Sequence, residues 1–449
     1  MDKISKGNPV TKKTISALLA IGTISGICNA FVQSNFFRPY DSALRLPLLK
    51  KSERESLWLG DFHVGAQMEY GSRSSGRNWD NKRRNILQLH GDTQSIIQML
   101  KEPVGNAVAK IDDILFQLGL PEDVGNIGKI KLFGDYKEFD INLHGSYKLP
   151  VKSFMPGDLL LSLYLPITHK KISGFRYEDL TPTEPGLGLY AGHVEAARKV
   201  AEGVATLKEG LSKFGNLDIS DWKKTGIGDI ALLLEWQNRY RQDKEFLKNV
   251  YLRVKGGVSI PSGSQKDEDK AFSMPLGFDG AWGIPLGMGM ELDYIHNIRA
   301  GIDVDFLILF DKTRMRRLKT HVHQTELLLL NKGEATKEYG LTWQFHLFLQ
   351  VYHLWRGFSA GSAYQFVKRD DDRLSPKYND FSFSTVNSAN SLKEWVAHNI
   401  LFKVNYDFFE EEGKDWPIAP QVSLFYKLPI AGKNIIDNHT VGIQLAMNF

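Results

Sequence analysis

The stretch HTVGIQLAMNF (439–449) decides how the rest of the chain is read. Val441, Ile443, Leu445, Met447 and Phe449 take every second position, with Gly442, Gln444, Ala446 and Asn448 between them. Successive side chains of an extended strand point to opposite faces, so this period of two sets an apolar face against a small or polar one. Terminal residues fray unless something ties them down. The stretch is therefore expected to be a strand held on both edges.

The same alternation recurs upstream. In 57–70, Trp58, Phe62, Val64, Ala66, Met68 and Tyr70 oppose Asp61, His63, Gln67 and Glu69. In 138–149, Phe139, Ile141, Leu143, Tyr147 and Leu149 oppose Asp140, Asn142, His144, Ser146 and Lys148. Segments 228–237, 250–260, 339–351, 396–408 and 421–428 repeat the scheme, and weaker candidates lie at 158–168, 272–283, 287–296, 301–311, 317–330 and 357–369. Alternating segments of about ten residues separated by turns are the signature of a transmembrane β-barrel. The expectation is an all-β, antiparallel transmembrane barrel of about fourteen strands, twelve or sixteen being compatible with the same pattern. Starting upward at 57, every long connection falls on the outer side, including 71–137 and 169–227, and the short ones (150–157, 238–249, 284–286, 312–316, 352–356, 409–420) fall inside. His439–Phe449 would then be the closing strand, its apolar face toward lipid. Trp58, Trp236, Trp343, Trp355, Trp395, Tyr406 and Trp416 would form interfacial girdles. The competing fold is a secreted β-sandwich with these rings in its core.

Composition agrees with export. Residues 1–30 read as a cleaved signal peptide: Lys12 and Lys13, the apolar run Ile15–Ile27, then the small-x-small site Cys28-Asn29-Ala30. The single cysteine would leave with it, which removes disulfides, thiolate metal sites and a cysteine nucleophile from consideration. The net charge of +4 would fall to +1, since four lysines and one aspartate lie in the leader. That charge gives no footing for nucleic-acid binding. No apolar run after the leader approaches the roughly 18 residues of a membrane helix. Residues 31–56 are expected to form a periplasmic or plug segment, and 57–449 the barrel. Two insertions instead carry apolar residues at helical spacing, 85–117 (Ile96, Ile97, Leu100, Val108, Ile111, Leu115) and 193–214 (Val194, Ala197, Ala201, Val204, Leu207, Leu211, Phe214). They are expected either to cap the mouth together or to dip into the lumen as a gate.

On the polar faces, Asp140, Asn142, His144, Lys148, Asp229, Glu235, Arg253, Lys255, Asp303, Asp305, Gln344, His346, Gln350, Lys403, Asn405 and Lys427 become candidate pore-lining residues. A lumen of mixed sign predicts weak charge selectivity.

A resemblance sharpens this. TGIGDIALLLEW (225–236) and VSIPSG (258–263) resemble outer-membrane channels of the phenol meta-degradation family, in which a Gly-x-Gly-Asp lead-in to one strand and a Leu-Pro-Thr-Gly run after the next recur. Gly226, Gly228 and Asp229 match the first; Ile260-Pro261-Ser262-Gly263 approximates the second. The resemblance, over about 220–449, implies a monomeric barrel passing small apolar or aromatic molecules. More distantly the chain is similar to long-chain fatty acid transporters, whose lumen holds an N-terminal plug, a role open to FVQSNFFRPYDSALRLPLL (31–49). The terminal strand resembles the signal read by the barrel insertion machinery, through Val441, Ile443, Leu445, Met447 and Phe449. Neither family assigns catalytic residues here.

Three other features carry possible chemistry. His144 and Ser146 share a strand face, a spacing that resembles the His-x-Ser pair of outer-membrane phospholipases, although Tyr147-Lys148 follow instead of Asn-Gly. His321 and His323 could turn two rings to one side of a strand, as a metal site needs. KDEDK (266–270) and RDDDR (369–373) could converge on calcium but read first as solvated loops. The expectation is no cofactor, no metal and no catalytic residue. The chain reads as an outer-membrane channel for diffusion of small solutes, with outer-membrane lipids and the insertion machinery as partners. The alternatives are a structural or adhesive barrel acting through 71–137 and 169–227, and, behind it, a lipid hydrolase.

Overall fold

The computed structural model describes residues 37, 40–44, 62–73, 75–99, 128–150, 156–181, 206–242, 244–294, 297–355, 357–408 and 419–448. The leader, Trp58, Trp416, Phe449, most of 31–56, and the parts of the two insertions at 100–117 and 193–205 lie outside them.

The alternating segments form twelve strands: β1 (Phe62–Arg73), β2 (Lys129–Lys148), β3 (Asp158–Asp179), β4 (Ile230–Arg241), β5 (Leu247–Ile260), β6 (Gly283–Tyr294), β7 (Ile298–Leu309), β8 (Thr342–Trp355), β9 (Phe358–Arg369), β10 (Trp395–Asp407), β11 (Ala419–Lys433) and β12 (His439–Asn448). Each pairs antiparallel with its neighbours in sequence, and β12 returns to β1, so the sheet closes. In the opening stretch, Ile443 lies opposite Met68 of β1 and Leu424 of β11, while Gly442, Gln444 and Ala446 turn inward and are buried. Strand edges unpaired in lipid are untenable; closure removes them.

The outward positions are apolar around the circumference. Met68, Leu143, Leu163, Leu234, Val254, Met288, Ile302, Leu347, Phe402, Leu424 and Val441 are all exposed. An apolar band of that extent marks a surface that meets lipid. Aromatic rings flank it. Trp355 stacks on Phe358 near one rim, and Trp343 packs on Phe345 and Phe366 near the other. Trp395 does not join a girdle: it faces inward, buried with Leu307, Leu309, Val367 and Phe278.

Two of the weaker candidate strands lie outside the barrel. Segments 272–283 and 317–330 are irregular apart from Gly283, which opens β6, and Arg317, which ends a short strand outside the barrel. Both belong to long connections, 261–282 and 310–341. Their loss keeps the count even but reverses β6 and β7. The turn 295–297 joins the short connections (149–157, 242–246, 356–357, 408–418), not the long ones.

The long connections form a cap. Leu87, Leu89 and Met99 pack with Leu207 and Leu211 of the helix Leu207–Gly215, with Phe272 and Met274, and with the protruding ends of β2 and β3 (Ile130, Leu132, Tyr136, Ile172). The strands Lys312–Arg317, Lys332–Glu338 and Arg373–Pro376 form a small sheet beside it, over a core of Leu318, Ala335, Leu374 and Leu392. Described parts of both helical insertions thus sit in the cap.

Candidate functional site

Inside the barrel the inward positions alternate onto one polar wall. All sixteen candidate lining residues fall on inward positions of their strands or at a strand end, but they separate into groups with different partners.

The first group is an ion network on β5–β8. Arg253 pairs with both Asp303 and Glu291, Arg299 lies 3.3 Å from Glu291, and His346 Nε2 lies 3.0 Å from Asp303. Glycines make room for it: a Cβ at Gly289 would land on the Asp303 carboxylate. The Arg299 guanidinium sits over the rings of Tyr251 and Tyr352, at 5.0 and 4.4 Å. Glu291 and Arg299 were not among the candidates. The signal was present in GMGMELDY (287–294), where Gly287, Gly289, Glu291 and Asp293 share a face.

The second group holds the N-terminal segment. Phe37 and Tyr40–Leu44 lie inside the barrel, with Ser42–Leu44 forming one turn of 3-10 helix. Asp41 accepts from Gln344 Nε2 at 3.1 Å and from Gln365 Nε2 at 3.0 Å, and Lys427 Nζ is 3.8 Å away. Ser42 Oγ accepts from Lys255 Nζ at 2.6 Å and donates to Asp305 at 3.1 Å; Lys255 and Asp305 are themselves 2.8 Å apart. The Leu44 carbonyl accepts from Lys403 Nζ at 3.1 Å and from Gln444 Nε2 at 2.8 Å. One short segment thus ties β5, β7, β8, β9, β10, β11 and β12 together through polar contacts. Asp41 and Ser42 escaped the sequence reading, because their partners lie hundreds of positions away.

Beside the segment is a cavity of about 110 Å³. His63, His144, Ser146, Ser162 and Tyr164 line one wall. His144 Nε2 is 3.1 Å from His63 Nε2, and the Ser146 hydroxyl bonds Ser162 at 2.7 Å. His144 and Ser146 therefore have different partners from each other.

Eight candidates lie apart from both groups: His144 and Glu235 line the cavity, Asn405 accepts from Ser423 Oγ, Asp140 and Asn142 are buried on β2, and the other three have partners of their own. Lys148 pairs with Asp158 at the turn end, 2.8 Å away. Gln350 accepts from the Tyr352 hydroxyl at 2.9 Å. Asp229 sits at the cap end of β4 and accepts the backbone N–H of Gly263 at 2.8 Å and that of Phe278. Ser262 Oγ donates to Gly228 O at 2.7 Å, and a Cβ at Gly277 would collide with the Asp229 carboxylate. The two motifs of the family resemblance are thus bonded to each other. Together they fold the loop 263–278 over the mouth, with Lys170 Nζ donating to Pro275 O at 3.0 Å. Phe278 then meets Phe37, Leu307, Leu309 and Trp395 in an apolar layer between lumen and cap.

The other sequence features resolve into cap contacts. In KDEDK, Glu268 pairs with Arg314 at 2.7 Å and Asp269 with Lys332. In RDDDR, Asp372 lies 2.8 Å from Arg369 and 2.7 Å from Lys337. His321 and His323 lie in the irregular connection, not on a strand, with ring centroids 5.2 Å apart. Among the described residues no group of three or more His, Cys, Asp or Glu is placed to hold a metal ion.

No family model matches the chain, and no curated protein matches it. Among solved structures it is similar to an outer membrane channel from Pseudomonas putida F1, at 10% identity over 90% of this chain and 100% of that one, with a TM-score of 0.48. It is also similar to the beta domain of a Bordetella autotransporter (9% identity, 86% and 98% covered, TM-score 0.31) and to a FadL homologue of Pseudomonas aeruginosa (7%, 86% and 88%, TM-score 0.26).

Proposed function

We propose that the protein is an outer-membrane channel whose lumen is occluded by a displaceable segment, of which residues 37 and 40–44 lie in the lumen, and by the loop 263–278 above it. One observation carries the reading. Asp41, Ser42 and the Leu44 carbonyl are held to polar wall residues by hydrogen bonds and ion pairs that water could replace, while the Phe37, Tyr40 and Leu44 side chains share apolar clusters with Leu233, Leu307, Leu401 and Phe425. A polar interior is general to outer-membrane barrels, open or plugged; what favours a channel here is that the segment filling it is fastened by polar contacts that water can exchange. The cap end faces outward, as long loops do in this architecture, and the chain acts as a monomer with lipid as its surroundings. The solute class that the wall favours is small and polar. Apolar or aromatic cargo, implied by the family resemblance, would find the His63, His144, Tyr164 and Tyr40 rings with Leu44, Leu160 and Met288 beside the cavity.

A second reading, a sealed surface barrel acting through its cap, draws on the apolar layer around Phe278 and Trp395. Conductance separates the two. In planar bilayers the full protein should open rarely, and deletion of 37–44 should give steady, weakly selective conductance. A silent barrel in both forms, with folding verified, overturns the channel reading and leaves the surface barrel.

A further inference from the structure

The outer surface of β2 and β3, just above the apolar band, carries an arrangement that the channel reading does not use. Lys137 of β2 lies directly opposite Lys171 of β3, and Lys171 directly opposite Lys223 on the short strand Trp222–Ile227. The three ammonium groups thus stand side by side on one rung across three adjacent strands. Their positions are outward ones, in phase with Phe139 and Ile227, which are exposed two and four residues along their strands toward the membrane.

Like charges placed directly opposite in a sheet are destabilising. Among the described residues, none of the three forms an ion pair. The nearby Asp221 carboxylate is engaged with the backbone N–H groups of Gly174 and Phe175, at 3.3 and 3.1 Å. Elsewhere toward the cap the chain neutralises such a residue: Lys368 on the outer face of β9 has Asp370 at 3.0 Å and Glu394 at 2.9 Å. The row is left for an anion from outside the chain. One rung nearer the membrane, Phe139, His169 and Thr225 lie opposite one another, with His169 and Thr225 joined at 2.6 Å, and below them Ile141, Ile167 and Ile227 form an apolar rung. A ligand that fits has phosphate at the lysine level and acyl chains beneath it.

We propose that Lys137, Lys171 and Lys223 form a docking site for the phosphate groups of a glycolipid in the outer leaflet, with the chains lying along Phe139, Ile167 and Ile227. The site rests on the outer-membrane reading with the cap outward, but not on conduction.

The test reconstitutes the full protein in phosphatidylcholine nanodiscs that contain either bisphosphorylated lipid A or the same lipid stripped of its phosphates. The lipid retained on the protein after delipidation is read by native mass spectrometry. Retention of the phosphorylated form should exceed that of the stripped form by on the order of tenfold. In K137Q/K171Q/K223Q the two should come to parity, while K368Q keeps the preference. Equal retention by the wild type, or an intact preference in the triple variant, overturns the site. Loss of the preference on adding inorganic phosphate at low, constant ionic strength would identify a soluble anion as the ligand and overturn the lipid assignment. Should the triple variant fail to fold, Lys171→Glu, at the centre of the row, must by itself abolish the preference, and an unchanged preference there overturns the site. A silent channel leaves the proposal standing, whereas failure to enter nanodiscs overturns the membrane reading beneath it.

Discussion

Asp229 fastens a loop where the alternation alone would have it line a conduit. Its carboxylate takes two backbone N–H groups of the connection 261–282 in a buried setting. Hydrogen bonds to a charged acceptor contribute about 1.5–3 kcal/mol each, and donors left unpaired by its removal cost more. Asp229→Ala should therefore free the loop: amides of 263–278 exchange faster with deuterium, and channel openings become more frequent. Unchanged exchange there would mean that Phe278, with the Lys170 and Ser262 contacts, seats the loop without Asp229. Asp372 is the corresponding fastening in the cap. Burial by itself would raise its carboxyl, but Arg369, Lys337 and the Gly340 N–H outweigh burial and hold it at about 2, against an ordinary 3.8. A depressed carboxyl stabilises fully above its ordinary value and loses that contribution as pH falls through the folded value. The contribution at neutral pH is roughly 2 kcal/mol. Cleavage of the strands Lys332–Glu338 and Arg373–Pro376 by pepsin should accordingly rise as pH drops from about 4 toward 2. In Asp372→Asn that rise should be smaller, because Glu268 and Asp279, held low against burial by Arg314 and Arg316, still titrate, and the strands should already be more labile at neutral pH. An identical pH profile in both proteins would place the cap's acid sensitivity elsewhere.

At the scale of elements, a period of two was readable and its medium was not. The stretch 441–447 shows its apolar residues outward and its small ones inward, as the alternation requires. Phe272, Met274, Leu276 and Phe278 alternate equally well, yet they lie in a connection and bury into the cap and the mouth. Alternation reports one-sided burial; it does not say whether lipid or protein does the burying. The distinction is measurable. Leu445→Arg on β12, in the middle of the lipid-facing run, should cost about 2–4 kcal/mol in reversible unfolding from bilayers, the penalty of a cation near the midplane. Met274→Arg should instead disturb the cap and leave insertion intact. The N-terminal segment shows the other limit of a sequence reading. Its composition suggested a plug, but no local pattern could pair Asp41 with Gln344, Gln365 and Lys427. Asp41→Ala strips those three of a buried ionic partner, a loss on the order of 3 kcal/mol. If the segment leaves the lumen when the channel opens, the open-to-closed ratio should rise about a hundredfold. An unaltered open probability would show that the segment stays in place during conduction.

For the whole molecule, the difference between fourteen strands and twelve is a difference in which side of the membrane each turn faces. Counting 272–283 and 317–330 as crossings leaves the termini where they are, because two strands are added, but it inverts everything between them. With twelve strands, the turn at 295–297 shares an end with 242–246 and 356–357, and the connection 310–341 belongs to the cap. The physical choice between the two counts is clear in the packing. Segment 317–330 contributes Leu318 to one cap core and Leu328 to another. Leu276 and Phe278 of the other segment are likewise buried, so neither segment offers a face to lipid. The only native cysteine, Cys28, lies in the expected leader, so single introduced cysteines report topology cleanly. In intact cells a membrane-impermeant maleimide should label His321→Cys at once. Asn297→Cys should stay unlabelled until the outer membrane is permeabilised. The fourteen-strand arrangement requires immediate labelling at position 297, because it places 297–300 outside. Labelling there in intact cells would restore the two lost strands and, with them, a wider lumen; protection there fixes the barrel at twelve with the cap as its outward face.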